Sequence, residues 1–247
     1  MGRPKITNGE QALAAVRQDG RALWYVPEIL ITEELCLEAI RQDGKAIAYV
    51  PWYLRTPELY LEAVKQAGWV LRNDVPENFM TEKLCLEAVK QRGWVLKFVP
   101  ENYRTAELCL LAVKQFGWAI KNVPKNLKTV ELCLLAVKQE GETLKFVPKD
   151  LMTAELCLEA VKQDGRALKH VPRNHKTTEL FPPENFMTAE LCLEAVKQNG
   201  GALVYVPENL KTTELCLEAV KNLLEKDLEI VPEPLRDEVR AALKSGA

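Results

Sequence analysis

The chain has 247 residues, of which 47% are hydrophobic and 28% charged, and its formal net charge is −2. This composition supports a sizeable core, and the charge lacks the basic excess expected of a protein that binds nucleic-acid phosphates. No apolar run approaches the ~18 residues needed to span a bilayer, and the polar N-terminus does not resemble a signal peptide. We therefore expect a cytoplasmic protein with no membrane partner, although secretion by a signal-independent route stays open.

The dipeptide Val-Pro recurs along nearly the whole chain at intervals of 24 or 25 residues, apart from one longer interval. Its prolines are Pro27, Pro51, Pro76, Pro100, Pro124, Pro148, Pro172, Pro207 and Pro232. A period of this length with helical patterning inside it is the signature of a solenoid. The sequence therefore predicts an all-α fold, an α-solenoid of about ten 24-residue repeats that forms a single domain over residues 1–247.

Each repeat has the same internal order, which residues 153–172 illustrate. Thr153 is a predicted helix N-cap, and the Leu-Cys-Leu-x-Ala-Val that follows predicts a helix buried on most of its circumference. Gly165 ends that helix, and we expect it to adopt the left-handed C′ conformation. A short second helix, α-helical or 3₁₀, must stop before Pro172 because proline cannot continue it. A turn of the Pro-Glu-Asn type then leads to the next threonine.

The repeats divide the chain into five predicted segments. They are an N-terminal capping unit over 1–31, regular repeats over 32–172, a shortened irregular repeat over 173–187, a regular repeat over 188–211, and a final repeat with a closing helix over 212–247. In the shortened repeat the leucine-to-proline interval is 3 positions instead of 16, so 13 residues of the pattern are missing. We predict a kink or an irregular junction there.

The stretches Glu194–Gly200 and Ala202–Tyr205 read Glu-Ala-Val-Lys-Gln-Asn-Gly and Ala-Leu-Val-Tyr. They resemble a bacterial and protist family of tandem helical repeats that is defined only as a domain of unknown function. The resemblance covers nearly the whole chain, implies a helical repeat and brings no activity with it. The alternation of an α-helix with a short second helix is also similar to leucine-rich-variant repeats, as a parallel of architecture.

All cysteines occupy one position of the repeat: Cys36, Cys85, Cys109, Cys133, Cys157, Cys192 and Cys216. Equivalent positions on stacked helices lie roughly 8–10 Å apart, beyond the ~7 Å Cα separation that a disulfide allows. We therefore predict that they are core residues and expect no metal site. His170 and His175 are predicted to occupy packing sites, with a local role beside the shortened repeat as the alternative.

Aromatic and apolar substitutions concentrate in the central repeats. Trp69, Trp94 and Trp118 occupy the position after the glycine, where other repeats carry Arg, Lys, Glu or Gly. Because a position that accepts charge is normally exposed, we expect an exposed or half-exposed row. Apolar residues also replace polar ones at nearby surface positions: Leu111, Leu135 and Phe116. Such a cluster is typical of an interface; the alternative is that the tryptophans pack over neighbouring repeats.

An asparagine recurs in the turn that follows the proline: Asn78, Asn102, Asn126, Asn174, Asn185 and Asn209. A turn asparagine usually bonds nearby backbone, and we predict that here. The alternative is a ladder of free amides that holds the backbone of an extended peptide.

The sequence contains no Gly-rich phosphate loop, paired-carboxylate motif, nucleophile elbow or metal signature. We therefore predict a non-enzymatic repeat scaffold, without catalytic residues or cofactors, that binds a protein or peptide partner along an extended surface through the central apolar cluster. The alternative is a nucleic-acid-binding helical repeat protein, which is less favoured because a glutamate row lies beside the lysine row. The sequence leaves the identity of the partner and the oligomeric state open.

Overall fold

The computed structural model describes residues 6–72, 74–172, 186–221 and 229–245. The chain divides into two compact units, an N-terminal unit that ends at Asn122 and a C-terminal unit that begins at Val123. In these described residues the regular secondary structure is α-helical or 3₁₀, with no β-strand. The prediction of an all-α repeat fold is confirmed.

The α-helices of successive repeats are short and similar in length. In the N-terminal unit they are α1 (Gly9–Gln18), α2 (Glu33–Gln42), α3 (Pro57–Gln66), α4 (Glu82–Gln91) and α5 (Ala106–Gln115). In the C-terminal unit they are α6 (Val130–Gln139), α7 (Ala154–Gln163), α8 (Ala189–Gln198), α9 (Thr213–Lys221) and the closing helix α10 (Glu233–Ser245). Within the described residues, no helix is both long and apolar enough to cross a membrane.

A polar side chain caps the start of these helices. The Thr32 hydroxyl accepts a hydrogen bond from the Leu35 N–H, with 3.2 Å between oxygen and nitrogen. Asn8 caps α1 in the same way, with its side-chain oxygen 2.9 Å from the nitrogen of Gln11. Such a cap stabilises a helix by about 1 kcal/mol. The other predicted threonine caps form the same bond: Thr56, Thr81, Thr105, Thr129, Thr153, Thr188 and Thr212.

A long 3₁₀ helix follows each of α1 to α8. These helices are Gly20–Tyr25, Gly44–Tyr49, Gly68–Arg72, Gly93–Phe98, Gly117–Asn122, Gly141–Phe146, Gly165–His170 and Gly200–Tyr205. A three-residue 3₁₀ turn then follows most of the Val-Pro pairs: Glu28–Leu30, Trp52–Leu54, Glu77–Phe79, Glu101–Tyr103, Lys125–Leu127, Lys149–Leu151 and Glu208–Leu210. The predicted short second helix is therefore present and is 3₁₀.

The core of each unit lies between a layer of α-helices and a layer of long 3₁₀ helices. Neighbouring α-helices pack together, and so do neighbouring long 3₁₀ helices. The cysteine column is fully buried, and burial raises the pKa of the Cys36, Cys85 and Cys109 thiols to about 11. The prediction that the cysteines are core residues is confirmed.

Tyr60 stands where the other repeats carry cysteine, and it is also fully buried. Its ring packs against the ring of Phe79 with 4.9 Å between centroids. Among the described residues, its hydroxyl has no hydrogen-bond partner. A buried hydroxyl without a partner costs about 1–3 kcal/mol, so this repeat carries a local destabilisation.

The expected left-handed conformation of the glycines is wrong, and their role is to allow close packing. Gly20, Gly44 and Gly165 do not have the positive φ of a left-handed residue. Each begins its 3₁₀ helix and lies against the next repeat. A Cβ at Gly44 would stand 2.5 Å from the carbonyl oxygen of Ala63 in α3. Any side chain here would therefore separate two stacked repeats.

The predicted kink at the shortened repeat is wrong for the helices on either side of it, while residues 173–185 lie outside the described residues. α7 packs on α8 as neighbouring helices do elsewhere, and Gly165 meets the carbonyl of Ala195. The sequence explains why. The interval from Pro172 to Thr188 is 16 positions, against five from Pro148 to Thr153. The irregularity is thus equivalent to an 11-residue insertion between two complete repeats.

Candidate functional site

Three successive long 3₁₀ helices of the N-terminal unit present tryptophan and a cation at matching positions. Gly68–Arg72, Gly93–Phe98 and Gly117–Asn122 each carry tryptophan second and Arg or Lys fifth. Residues i and i+3 of a 3₁₀ helix lie on the same side. The tryptophans are half-buried and the cations are exposed. We call these residues the tryptophan–cation row: Trp69, Arg72, Trp94, Lys97, Trp118 and Lys121.

Cations cover the tryptophan rings. Lys45, from the preceding repeat, places its Nζ 4.9 Å from the ring centroid of Trp69. The Nζ of Lys97 lies 5.4 Å from the ring of Trp94 and 4.7 Å from that of Phe98. These distances are typical of cation–π attraction. The row is half-exposed, as expected, but it is not the bare apolar surface that the tryptophans alone suggested.

The row carries positive charge that no carboxylate neutralises. The segments 67–72, 92–98 and 116–122, which hold it, contain no Asp or Glu. Within the described part of the chain, its three cations form no ion pair. This leaves three cations free to meet an anionic group.

The same column is neutralised in the C-terminal unit. Lys145 and Lys169 occupy the positions equivalent to Lys97, and both lie near Glu142, with N–O distances of 3.7 and 2.8 Å. The Lys145 Nζ also lies 5.2 Å from the ring of Phe146. The free positive charge is thus a property of three particular repeats rather than of the repeat in general.

The predicted central apolar cluster does not form one surface. Leu111 is half-buried in the middle of α5, in the layer of α-helices, whereas the tryptophans lie in the 3₁₀ layer. Phe116 is 40% exposed at the C-terminal end of α5. Leu135 is half-buried in α6 and belongs to the C-terminal unit.

The asparagines of the turns are exposed, and the predicted bonds to nearby backbone are wrong for Asn78, Asn102 and Asn126. The 3₁₀ turns satisfy the local donors themselves: the Phe79 N–H bonds the Pro76 carbonyl at 3.0 Å. In the described residues these three asparagine side chains have no hydrogen-bond partner. The free amide ladder remains a prediction. Asn174, Asn185 and His175 lie outside the described residues.

A glutamine at the end of the α-helix links consecutive repeats, which the sequence reasoning missed. The Gly68 N–H donates to the Oε1 of Gln91 at 2.8 Å, and the Nε2 of Gln91 donates to the Lys65 carbonyl. Gln115 donates to the Lys90 carbonyl at 2.9 Å. The available signal was a glutamine that recurs at one position in nearly every repeat.

The most exposed large apolar side chains lie in the first two repeats, and the sequence reasoning missed them as well. Trp24 is 65% exposed, Ile29 92%, Trp52 82% and Tyr53 52%. The positions of Trp24 and Trp52 carry Lys or Glu in central repeats, and those of Ile29 and Tyr53 carry Asn. Large apolar residues in polar columns were the available signal. We call Trp24, Ile29, Tyr49, Trp52 and Tyr53 the N-terminal aromatic patch.

His170 occupies a packing position at the end of its 3₁₀ helix, as predicted. Its Nε2 is buried without a partner in the described residues. Burial and, to a smaller extent, the charge of Lys169 lower the pKa of His170 below its usual value. Across the described ranges, no three His, Cys, Asp or Glu side chains are grouped as a metal ion would require.

The repeat pattern matches a known family at three places. The family described as Domain of unknown function (DUF4116) matches residues 8–55, 105–152 and 189–236. Each match is 48 residues long and therefore spans two 24-residue repeats. No curated protein and no solved structure matches the chain. The three matches cover more than half of the chain, which therefore belongs to the DUF4116 family.

Proposed function

We propose that the chain is a non-enzymatic repeat scaffold whose tryptophan–cation row binds an extended, acidic segment of a partner protein. The row itself supports this most directly, because three successive repeats each present one tryptophan and one free cation on the same side. A surface that repeats with the fold suits a ligand whose own backbone repeats, and an extended peptide is such a ligand.

The charge of the row determines the chemistry of the ligand. Arg and Lys side chains and the indole N–H are donors without acceptor atoms. Arg72, Lys97 and Lys121 are exposed and unpaired in the described residues. A ligand that complements them must supply acceptors with negative charge, and the carboxylates of Asp and Glu are the ones that proteins offer.

The spacing of the row sets the spacing of the ligand's carboxylates. Stacked helices lie roughly 8–10 Å apart, and an extended chain rises about 3.3 Å per residue. One repeat therefore spans about three ligand residues. We propose an acidic side chain at about every third position of the bound segment.

Other surface residues are proposed as secondary contacts. The free amides of Asn78 and Asn102 can bond a peptide backbone, and Leu111 and Phe116 add apolar contact area. Leu135 and Asn126 offer the same chemistry in the C-terminal unit.

Nucleic acid is the second candidate, because cations and aromatic rings also serve phosphates and bases. The ring contacts favour the peptide. Base stacking needs a free ring face, and Lys45 and Lys97 already lie over the rings of Trp69 and Trp94.

Affinity capture from a cell lysate with three baits tests the proposal. The baits are the wild type, the row variant Arg72→Glu/Lys97→Glu/Lys121→Glu, and the control variant Lys65→Glu/Lys90→Glu/Lys114→Glu. The control changes the net charge equally, in the same three repeats, at the helix ends. We expect the wild type and the control to capture the same proteins, with or without nuclease, and the row variant to lose them. Identical capture by all three baits, or capture that nuclease abolishes, would contradict the proposal.

A further inference from the structure

We propose that the N-terminal aromatic patch is a second docking surface, for a partner-protein segment that combines basic with large apolar side chains. The patch shares no residue with the tryptophan–cation row and carries the opposite charge at its rim. The inference therefore stands independently of the proposed function.

The patch is continuous across the first two repeats. The ring of Trp24 meets the ring of Tyr49 in the next repeat, with 5.4 Å between centroids. Three residues further on, Trp52 contacts Tyr53 at 5.9 Å. The Tyr53 hydroxyl donates to the carboxylate of Glu28 at 3.0 Å, and Glu28 is the neighbour of Ile29 in the chain. The exposed side chains thus belong to one surface.

Folding does not require apolar residues at these positions. In the fourth and fifth repeats, the column of Trp24 carries Lys97 and Lys121, and the column of Trp52 carries Glu101 and Lys125. Those repeats keep the same secondary structure and the same buried columns. A contiguous exposed apolar patch that the fold does not need is typical of an interaction site.

Carboxylates surround the patch. Glu28 lies within it, and Glu33 and Glu58 lie in the first turns of the helices that follow its two 3₁₀ turns. All three are exposed, and within the described ranges none of them forms an ion pair.

The nearby cations are engaged elsewhere. The Arg21 guanidinium pairs with Asp43 at 2.9 Å. The guanidinium of Arg55 donates to the carbonyls of Val50 and Ala48, at 2.9 and 3.3 Å. The rim is therefore negative, and a bound segment must offer cations beside its apolar side chains. Lys and Arg also bind the exposed faces of Trp and Tyr.

Fluorescence anisotropy with three labelled peptides of equal length tests this proposal. One alternates Lys with Leu, one alternates Glu with Leu, and one alternates Lys with Ser. We expect only the Lys–Leu peptide to bind the full chain. The variant Trp24→Ser/Ile29→Ser/Trp52→Ser should weaken that binding about tenfold or more, as loss of central interface residues does. Glu33→Gln/Glu58→Gln should weaken it less, and most at low salt.

The matched control is Leu110→Ser/Leu158→Ser/Val204→Ser, which removes three other exposed apolar side chains. It should bind the Lys–Leu peptide as the wild type does. The row variant should also keep this affinity, so failure of either proposal can be told from failure of the other.

Three results would overturn the proposal. The Glu–Leu peptide may not bind as tightly as the Lys–Leu peptide, and the serine variant of the patch may not bind as the wild type does. The third is a concentration-dependent rise in mass, by light scattering, that the same serine variant abolishes. That rise would show that a second copy of the chain covers the patch.

Discussion

The packing role of the repeat glycines predicts that Gly44→Ala destabilises the chain by separating two repeats. A Cβ at this position would lie 2.5 Å from the carbonyl oxygen of Ala63, whereas ordinary contacts begin at 3.4 Å. The stack would have to open by about 0.9 Å, the difference between these distances. Overpacking of this kind costs about 1–3 kcal/mol. We expect a loss of that size in the free energy of unfolding, measured by urea denaturation and circular dichroism.

Two variants make the measurement specific. Gly9→Ala is the control, because Gly9 is exposed in the first turn of α1 and a Cβ there would meet nothing within 4 Å. It should be neutral or slightly stabilising, since alanine favours a helix. Gly44→Asn distinguishes space from conformation. Asparagine tolerates a left-handed backbone better than alanine, so a Gly44→Asn variant more stable than Gly44→Ala would refute the packing explanation.

Three further variants test individual contacts. Tyr60→Phe removes the buried hydroxyl that lacks a partner, so it should raise the free energy of unfolding by about 1 kcal/mol; Tyr103→Phe breaks a 3.0 Å bond to the Met80 carbonyl and should lower it. Equal signs for the two would contradict this reading. Gln91→Ala removes both links to the preceding repeat and should cost about 1–2 kcal/mol, whereas Gln42→Ala, at an exposed counterpart, should change stability by less than about 0.5 kcal/mol. The pKa of His170 is lowered in the folded state, so the unfolded chain binds more protons and stability falls as pH drops through the usual value of 6.5. His170→Phe should remove that component, and an unchanged slope of unfolding free energy between pH 7.5 and about 5 would exclude it.

The sequence predicted the repeat because its local signals agree with one another. The threonine caps, the Leu-Cys-Leu-x-Ala-Val helix and the proline after the short second helix are all local features. Each is observed where the pattern placed it, as with the Thr32 cap and the Gly20–Tyr25 helix. The buried cysteines followed from geometry, since stacked helices keep equivalent side chains too far apart to pair.

The features that were missed depend on the distance between repeats. A glycine after a helix suits a left-handed cap and a close helix contact equally well. Only the position of the Ala63 carbonyl shows that Gly44 serves the second role. Likewise, the 13 missing residues at 173–187 and an 11-residue insertion are the same sequence. The packing of α7 on α8 decides between them.

Part of the candidate site was missed because the search followed columns. Trp69, Trp94 and Trp118 stand out because one column repeats them. Trp24 and Trp52 occupy two different columns, so no row appears, although they are far more exposed. The cations over the tryptophan rings were also hidden, because Lys45 reaches Trp69 from the preceding repeat.

The central claim is that the constant residues build the stack and that the tryptophan–cation row binds an acidic segment. The most direct test is the affinity of a labelled peptide that carries Glu at every third position, measured by anisotropy. We predict that the row variant weakens binding about tenfold or more, as loss of several complementary charges does. The helix-end control variant should leave the affinity nearly unchanged. Equal weakening by both variants would show attraction to net charge alone, and it would contradict the claim.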